Sequence, residues 1–183
     1  MSKNRKVVWN EGMLLTPHHF QQSDNYHEER LNSLLRSMVS YGYGVLDLQI
    51  NNEAIANGNF QVTNCHAVLA DGLVINFPDA DAAPDLRPVK DHFKPEQEKL
   101  GVHLAIPARK YGAANFQANG SKPDINLRFL QDGVLVKDET SGTNEQPISF
   151  ARPNLRVIFD DELRDGFTAI KNCRTRTHRH RTT

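Results

Sequence analysis

The residues that first invite a chemical reading are His18 and His19, adjacent in the chain, with His27 further along the same segment. Metal ligands on a helix need a spacing of three or four so that they share a face. Adjacent side chains point about 100° apart, and His27 follows eight or nine residues later. The pair therefore reads as one ring bonding or packing at a helix start while the other stays exposed. Asp160, Asp161 and Glu162 follow a strand pattern and read as a solvated turn. Asp79, Asp81 and Asp85 lack the glycine and closing glutamate of a calcium loop. His66 and His103 fall within strand patterns and read as satisfied sheet residues. Cys65 lies in an apparent strand and Cys173 near the C-terminal end, without metal-ligand spacing, and no structural disulfide is expected. Phosphate-binding glycine loops, nucleophile elbows and C-x-x-C pairs do not occur. These residues predict a protein that is not an enzyme and that holds no metal or cofactor.

The elements that would position such residues are one helix and many strands. Thr16 suits a helix N-cap through its hydroxyl, and Pro17 suits the first helical position, where a missing N–H costs nothing. Phe20, His27, Leu31, Leu34, Leu35 and Met38 share a stripe at helical spacing, which predicts a helix from Pro17 to about Val39. The apolar content after Leu31 predicts that its second half is the better buried, with Gly42 and Gly44 ending it. From Val45 the period changes to two: Leu46, Leu48 and Ile50 alternate with Asp47 and Gln49. Phe60–Leu69 and Leu73–Phe77 flank Asp71-Gly72, a hairpin signal. A proline-rich connection over residues 78–95 and a Gly/Asn/Ala-rich loop over 112–124 separate further strand patterns at 100–106, 126–130, 134–137, 147–151, 155–159 and 167–171. Eight or nine strands without intervening helices predict a mainly β protein, a β-sandwich with one N-terminal α-helix.

Composition narrows the class. With 183 residues, 38% hydrophobic and 24% charged, the chain can build one real core. Its longest apolar runs are far short of the roughly 20 residues that span a bilayer. The basic start Met1-Ser2-Lys3-Asn4-Arg5-Lys6 leads into no signal-peptide pattern. A cytoplasmic location without membrane insertion is expected. The formal charge of zero conceals an asymmetry. Residues 171–183 hold five of the 22 basic residues and no acid, which leaves 17 bases against 22 acids, a charge of −5, over residues 1–170. A mildly acidic body argues against nucleic-acid binding. Arg, Thr and His follow one another in that tail without apolar period, so residues 172–183 are expected to be a non-native or disordered appendage to a domain of residues 1–171.

The only tryptophan, Trp9, sits in a loosely patterned apolar segment, Val7 to Leu15, which must bury its side chains on its own domain or on a partner. Here the sequence resembles a known family. Trp9-Asn10-Glu11-Gly12-Met13-Leu14-Leu15-Thr16-Pro17-His18-His19-Phe20-Gln21-Gln22, continued by Asp24-Asn25-Tyr26-His27-Glu28, resembles the opening of TssK proteins, also called ImpJ or VasE. Gln131-Asp132-Gly133-Val134 and Ile148 to Leu155 are similar to strands of the same family.

The resemblance implies a structural role: a trimeric adaptor linking the baseplate of the type VI secretion system to its membrane complex. It implies a domain similar to the shoulder of phage receptor-binding proteins, docking on the TssF and TssG wedge proteins. It also implies a helical middle region and a C-terminal domain facing TssL and TssM, neither of which lies in this chain. Trp9, Met13, Leu14, Leu15, His18, His19 and Phe20 are the expected partner-binding residues. The alternative is a carbohydrate-binding β-sandwich, since phage receptor-binding proteins share the architecture. Tyr41, Tyr43 and Tyr111 would then be the aromatics near its loops.

Overall fold

A computed structural model describes residues 5–92, 99–118, 120–122 and 124–176, the last five as backbone only. The chain divides into two units, one ending at Tyr43 and the other beginning at Gly44.

The first unit is an extended lead followed by α1, Pro17–Met38, within a residue of the expected span. The N-cap chemistry differs from expectation. The Thr16 hydroxyl lies 2.9 Å from His19 Nδ1, and the Thr16 N–H donates to the same nitrogen at 3.2 Å. His19 returns its own backbone N–H to the Thr16 carbonyl at 3.0 Å. The pair thus closes a reciprocal box in which an imidazole takes the place usually held by Glu or Gln. The helix ends without glycine: Val39 is extended, its N–H bonding to the Leu35 carbonyl at 2.8 Å. Tyr41 takes the left-handed conformation at φ 63°. The expected burial of the second half is not found. Leu31, Leu34, Leu35 and Met38 are all exposed, Met38 by 74%. One helix and an extended lead leave the stripe nothing to pack on within this unit.

The second unit builds the core. Its strands are β1 Gly44–Ile50, β2 Asn59–Phe60, β3 Val62–Val68, β4 Val74–Phe77, β5 Arg87–Pro88, β6 Lys99–Pro107, β7 Phe129–Val136, β8 Gln146–Pro153, β9 Arg156–Phe159 and β10 Phe167–Arg176. Two antiparallel three-stranded sheets, ordered β1-β3-β4 and β10-β6-β9, share one apolar cluster. Val62, Cys65, Ala67, Ile75 and Phe77 come from the first sheet, and Leu100, Val102, Leu104, Ile106, Val157 and Phe159 from the second. This is the sandwich the periodicity predicts. Burying each large side chain contributes on the order of 1.5–3 kcal/mol.

Three local departures have physical reasons. The ladder between β1 and β3 slips between Val45 and Asp47, a bulge that reverses the alternation. Val45, Leu48 and Ile50 therefore pack on the core while Leu46 is exposed. The strand expected from Phe60 to Leu69 breaks at Gln61, where Phe60 pairs with Arg87 in the small β2–β5 ladder. Between β1 and β2 a short helix, α2 Asn52–Ala56, is capped by the Asn51 side chain, which accepts the N–H groups of Glu53 and Ala54 at 3.1 Å. The Asp71-Gly72 hairpin forms as expected, with Gly72 at φ 90° and Val68 opposite Val74. Strand patterns read separately at 126–130 and 134–137 merge into β7. It pairs along its length with β8 and, at Phe129, bridges to Phe116, in a ribbon whose Val134, Ile148 and Phe150 are exposed.

β10 carries backbone pairing past the expected domain boundary at Lys171, as far as Arg176 opposite Lys99. The remainder of the expected tail, 177–183, lies outside the described residues.

Candidate docking surface

The N-terminal site is built by a turn and a helix start. Gly12, at φ 76°, lets the chain reverse so that the Met13 N–H reaches the Asn10 carbonyl at 3.4 Å. The Asn10 N–H points to the Met13 sulfur at 3.4 Å. This returns Trp9 to the first turn of α1, where its ring centroid lies 6.2 Å from His19 and 6.3 Å from Phe20. The box with Thr16 fixes the His19 ring, so the helix cap also positions the aromatic group. Of the seven expected residues, the structure brings Trp9, His19 and Phe20 into ring contact and places Met13 in the adjoining turn. Trp9 is 50% exposed, Phe20 53% and Leu14 83%, with Leu15 also exposed. His18 is exposed beside the bonded His19, the division of roles expected for the pair. His27 meets the Tyr26 ring edge-on at 5.3 Å. Among the described residues no group of three or more His, Cys, Asp and Glu side chains could hold a metal ion.

The acidic run forms the expected turn after β9, with Asp160 and Asp161 exposed. Beyond that expectation, each acid meets a base from a different element. The Glu162 carboxylate accepts two bonds from Arg87 at 2.7 and 2.9 Å, and takes the Phe159 N–H at 2.8 Å. Arg87 also donates to the Val157 carbonyl at 2.8 Å, and its guanidinium lies 4.9 Å from the centre of the Phe159 ring. His92, on the 3-10 turn Lys90–His92, bonds Asp161 at 2.9 Å and packs on the same ring at 4.4 Å. His103 on β6 meets Asp160 at 2.7 Å. Burial alone would raise the Glu162 carboxyl, but the bonds from Arg87 and Phe159 and the nearby positive charge outweigh it, holding the group below its ordinary range. The His103 bond likewise holds Asp160 low against burial, with help from the charges of Lys171, His103 and Arg164. Asp81 caps the Asn76 N–H at 2.8 Å. The sequence does not reveal the pairing of Asp160, Asp161 and Glu162, because their partners are 57 to 75 positions away.

Between this anchored turn and β9 an open cleft of about 580 Å³ is lined by Arg87, Leu155, Arg156, Leu163 and Phe167, among others. The Arg156 guanidinium bonds the Ile125 carbonyl at its rim.

Comparison with known proteins decides the family. The family described as bacterial type VI secretion, EvfL, ImpJ and VasE matches residues 19–183. The chain belongs to this family. A relative, the type VI secretion system baseplate component TssK1 of Pseudomonas aeruginosa strain PAO1, is 27% identical over 98% of this chain. The chain spans 39% of that protein's length. The crystal structure of a TssK superposes with a TM-score of 0.83 at 26% identity, covering 97% of this chain and 40% of the other. The same fold occurs in the structure of a TssK-TssF-TssG baseplate subcomplex, with a TM-score of 0.82 at 20% identity, over 94% of this chain and 56% of that one. This chain's mainly β architecture with its N-terminal helix is therefore a fold that also occurs in TssK. No helix of the described residues is long and apolar enough to cross a membrane.

Proposed function

We propose that this chain is the baseplate-docking module of a VasE-family adaptor, that it turns over no substrate, and that it works in the cytoplasm. In this reading the longer protein is a homotrimer that docks on TssF and TssG and reaches TssL and TssM through regions outside this chain. The observation that carries the proposal is the exposed Trp9–His19–Phe20 group, locked by the helix cap, on a chain whose relative is a baseplate component. Locking matters because a pre-positioned aromatic anchor loses little conformational freedom on binding. Tryptophan is also enriched among residues that dominate binding energy.

The test is co-purification of this chain with a TssF–TssG wedge from the same genome. A stable complex is expected. Failure to associate at micromolar concentrations would overturn the proposal, and a clear hit on a glycan array would favour carbohydrate binding instead.

A further inference from the structure

Three candidates compete: the apolar face of the β7–β8 ribbon, the cleft beside β9, and the polar group around His103. Nothing in the structure shows what covers the ribbon or fills the cleft.

The imidazole of His103 is buried, and its Nε2 atom faces two partners at once. Asp160 Oδ1 lies 2.7 Å away and Arg164 Nη1 lies 3.0 Å away. A carboxylate only accepts hydrogen bonds and a guanidinium only donates them. One imidazole nitrogen offers either a proton or a lone pair. The two contacts are therefore mutually exclusive as hydrogen bonds. The other charge facing the group is Lys171, opposite His103 in the β6–β10 register, with its ammonium 3.9 Å from Asp160 Oδ2. Ile158, opposite His103 on β9, carries no charge.

We propose that His103 is a proton-controlled switch that selects which residue holds the turn after β9. With a proton on Nε2, Asp160 accepts from the ring, and a charged imidazolium repels the Arg164 guanidinium. Without that proton, Arg164 donates to the ring, and Asp160 is left to Lys171. Arg164 follows Glu162 and Leu163, which line the cleft beside β9, so the exchange moves one rim of that cleft. An ordinary histidine changes charge between about pH 5 and 8, which sets the range of the test.

The test follows the backbone amides of Leu163 and Arg164 and the His103 ring by NMR across that pH range, using the full 183-residue chain. The amide shifts are expected to move with the same midpoint as the His103 ring. His103→Gln, which cannot change its charge, should abolish the step, and His92→Gln should leave it in place. Arg164→Met, at an exposed position, should abolish the amide step while His103 still titrates, which keeps the test open if His103→Gln fails to fold. Persistence of the step in Arg164→Met or His103→Gln would overturn the proposal. So would a complete His103 titration that leaves both amides unmoved.

Discussion

Gly101 and Asp160 lie against each other so closely that a Cβ on Gly101 would fall 2.0 Å from Asp160 Oδ2. The glycine is the gap in β6 through which the Asp160 carboxylate reaches His103, two residues along the same strand. Gly101→Ala should push the carboxylate off His103 and cost about 1–3 kcal/mol, in the range of overpacking substitutions. Thermal and denaturant unfolding of this variant would measure the loss. An unchanged melting temperature would show that Asp160 can move away freely.

The same turn predicts an acid limb of stability. Asp160 and Glu162 both have folded values below their unfolded ones, 3.8 and 4.5. The unfolded chain therefore binds more protons in that range. Stability contributed by these two groups is present above about pH 5 and lost as pH falls through the folded values. Glu162→Gln should flatten the fall in unfolding free energy below pH 5. Arg87→Met, which removes a bidentate partner and the bond to the Val157 carbonyl, should cost about 1–3 kcal/mol at neutral pH. An acid limb identical in Glu162→Gln and the parent chain would refute this assignment.

Cys65 offers an independent probe of the core. Burial first, and then the Asp47 charge, push its thiol up to about 11. The nucleophile is the thiolate, so native Cys65 should be silent to thiol reagents at pH 8. With Cys173 replaced by Ser, labelling should appear only on unfolding. Fast labelling of the folded chain would place Cys65 outside the core.

The periodicity of β3 and β4 was legible in the sequence because each buries mainly one face and the turn between them carries a local signal. The N-terminal helix was legible because Thr16 and Pro17 mark its start. What was hidden depended on distance or on small local choices. The bulge that turns Leu46 outward leaves no mark on an alternating pattern. Continuous burial of β6, on both faces, requires Asp160 and its neighbours to cover the outer side. Pairing of Asp160, Asp161 and Glu162 with His103, His92 and Arg87 joins four separate elements. The helix stripe at Leu31, Leu34, Leu35 and Met38 was legible as amphipathic, but periodicity does not say whether the apolar side meets its own chain or another.

The most direct measurement is the affinity of Trp9→Ala for the purified TssF–TssG wedge, taken together with the variant's melting temperature. Trp9 is half exposed, so the fold should be retained and the melting temperature should hold. If the Trp9–His19–Phe20 group is the anchor, binding should weaken by about 2 kcal/mol, roughly 30-fold in Kd. Wedge binding at parental affinity with a parental melting temperature would contradict docking through this surface.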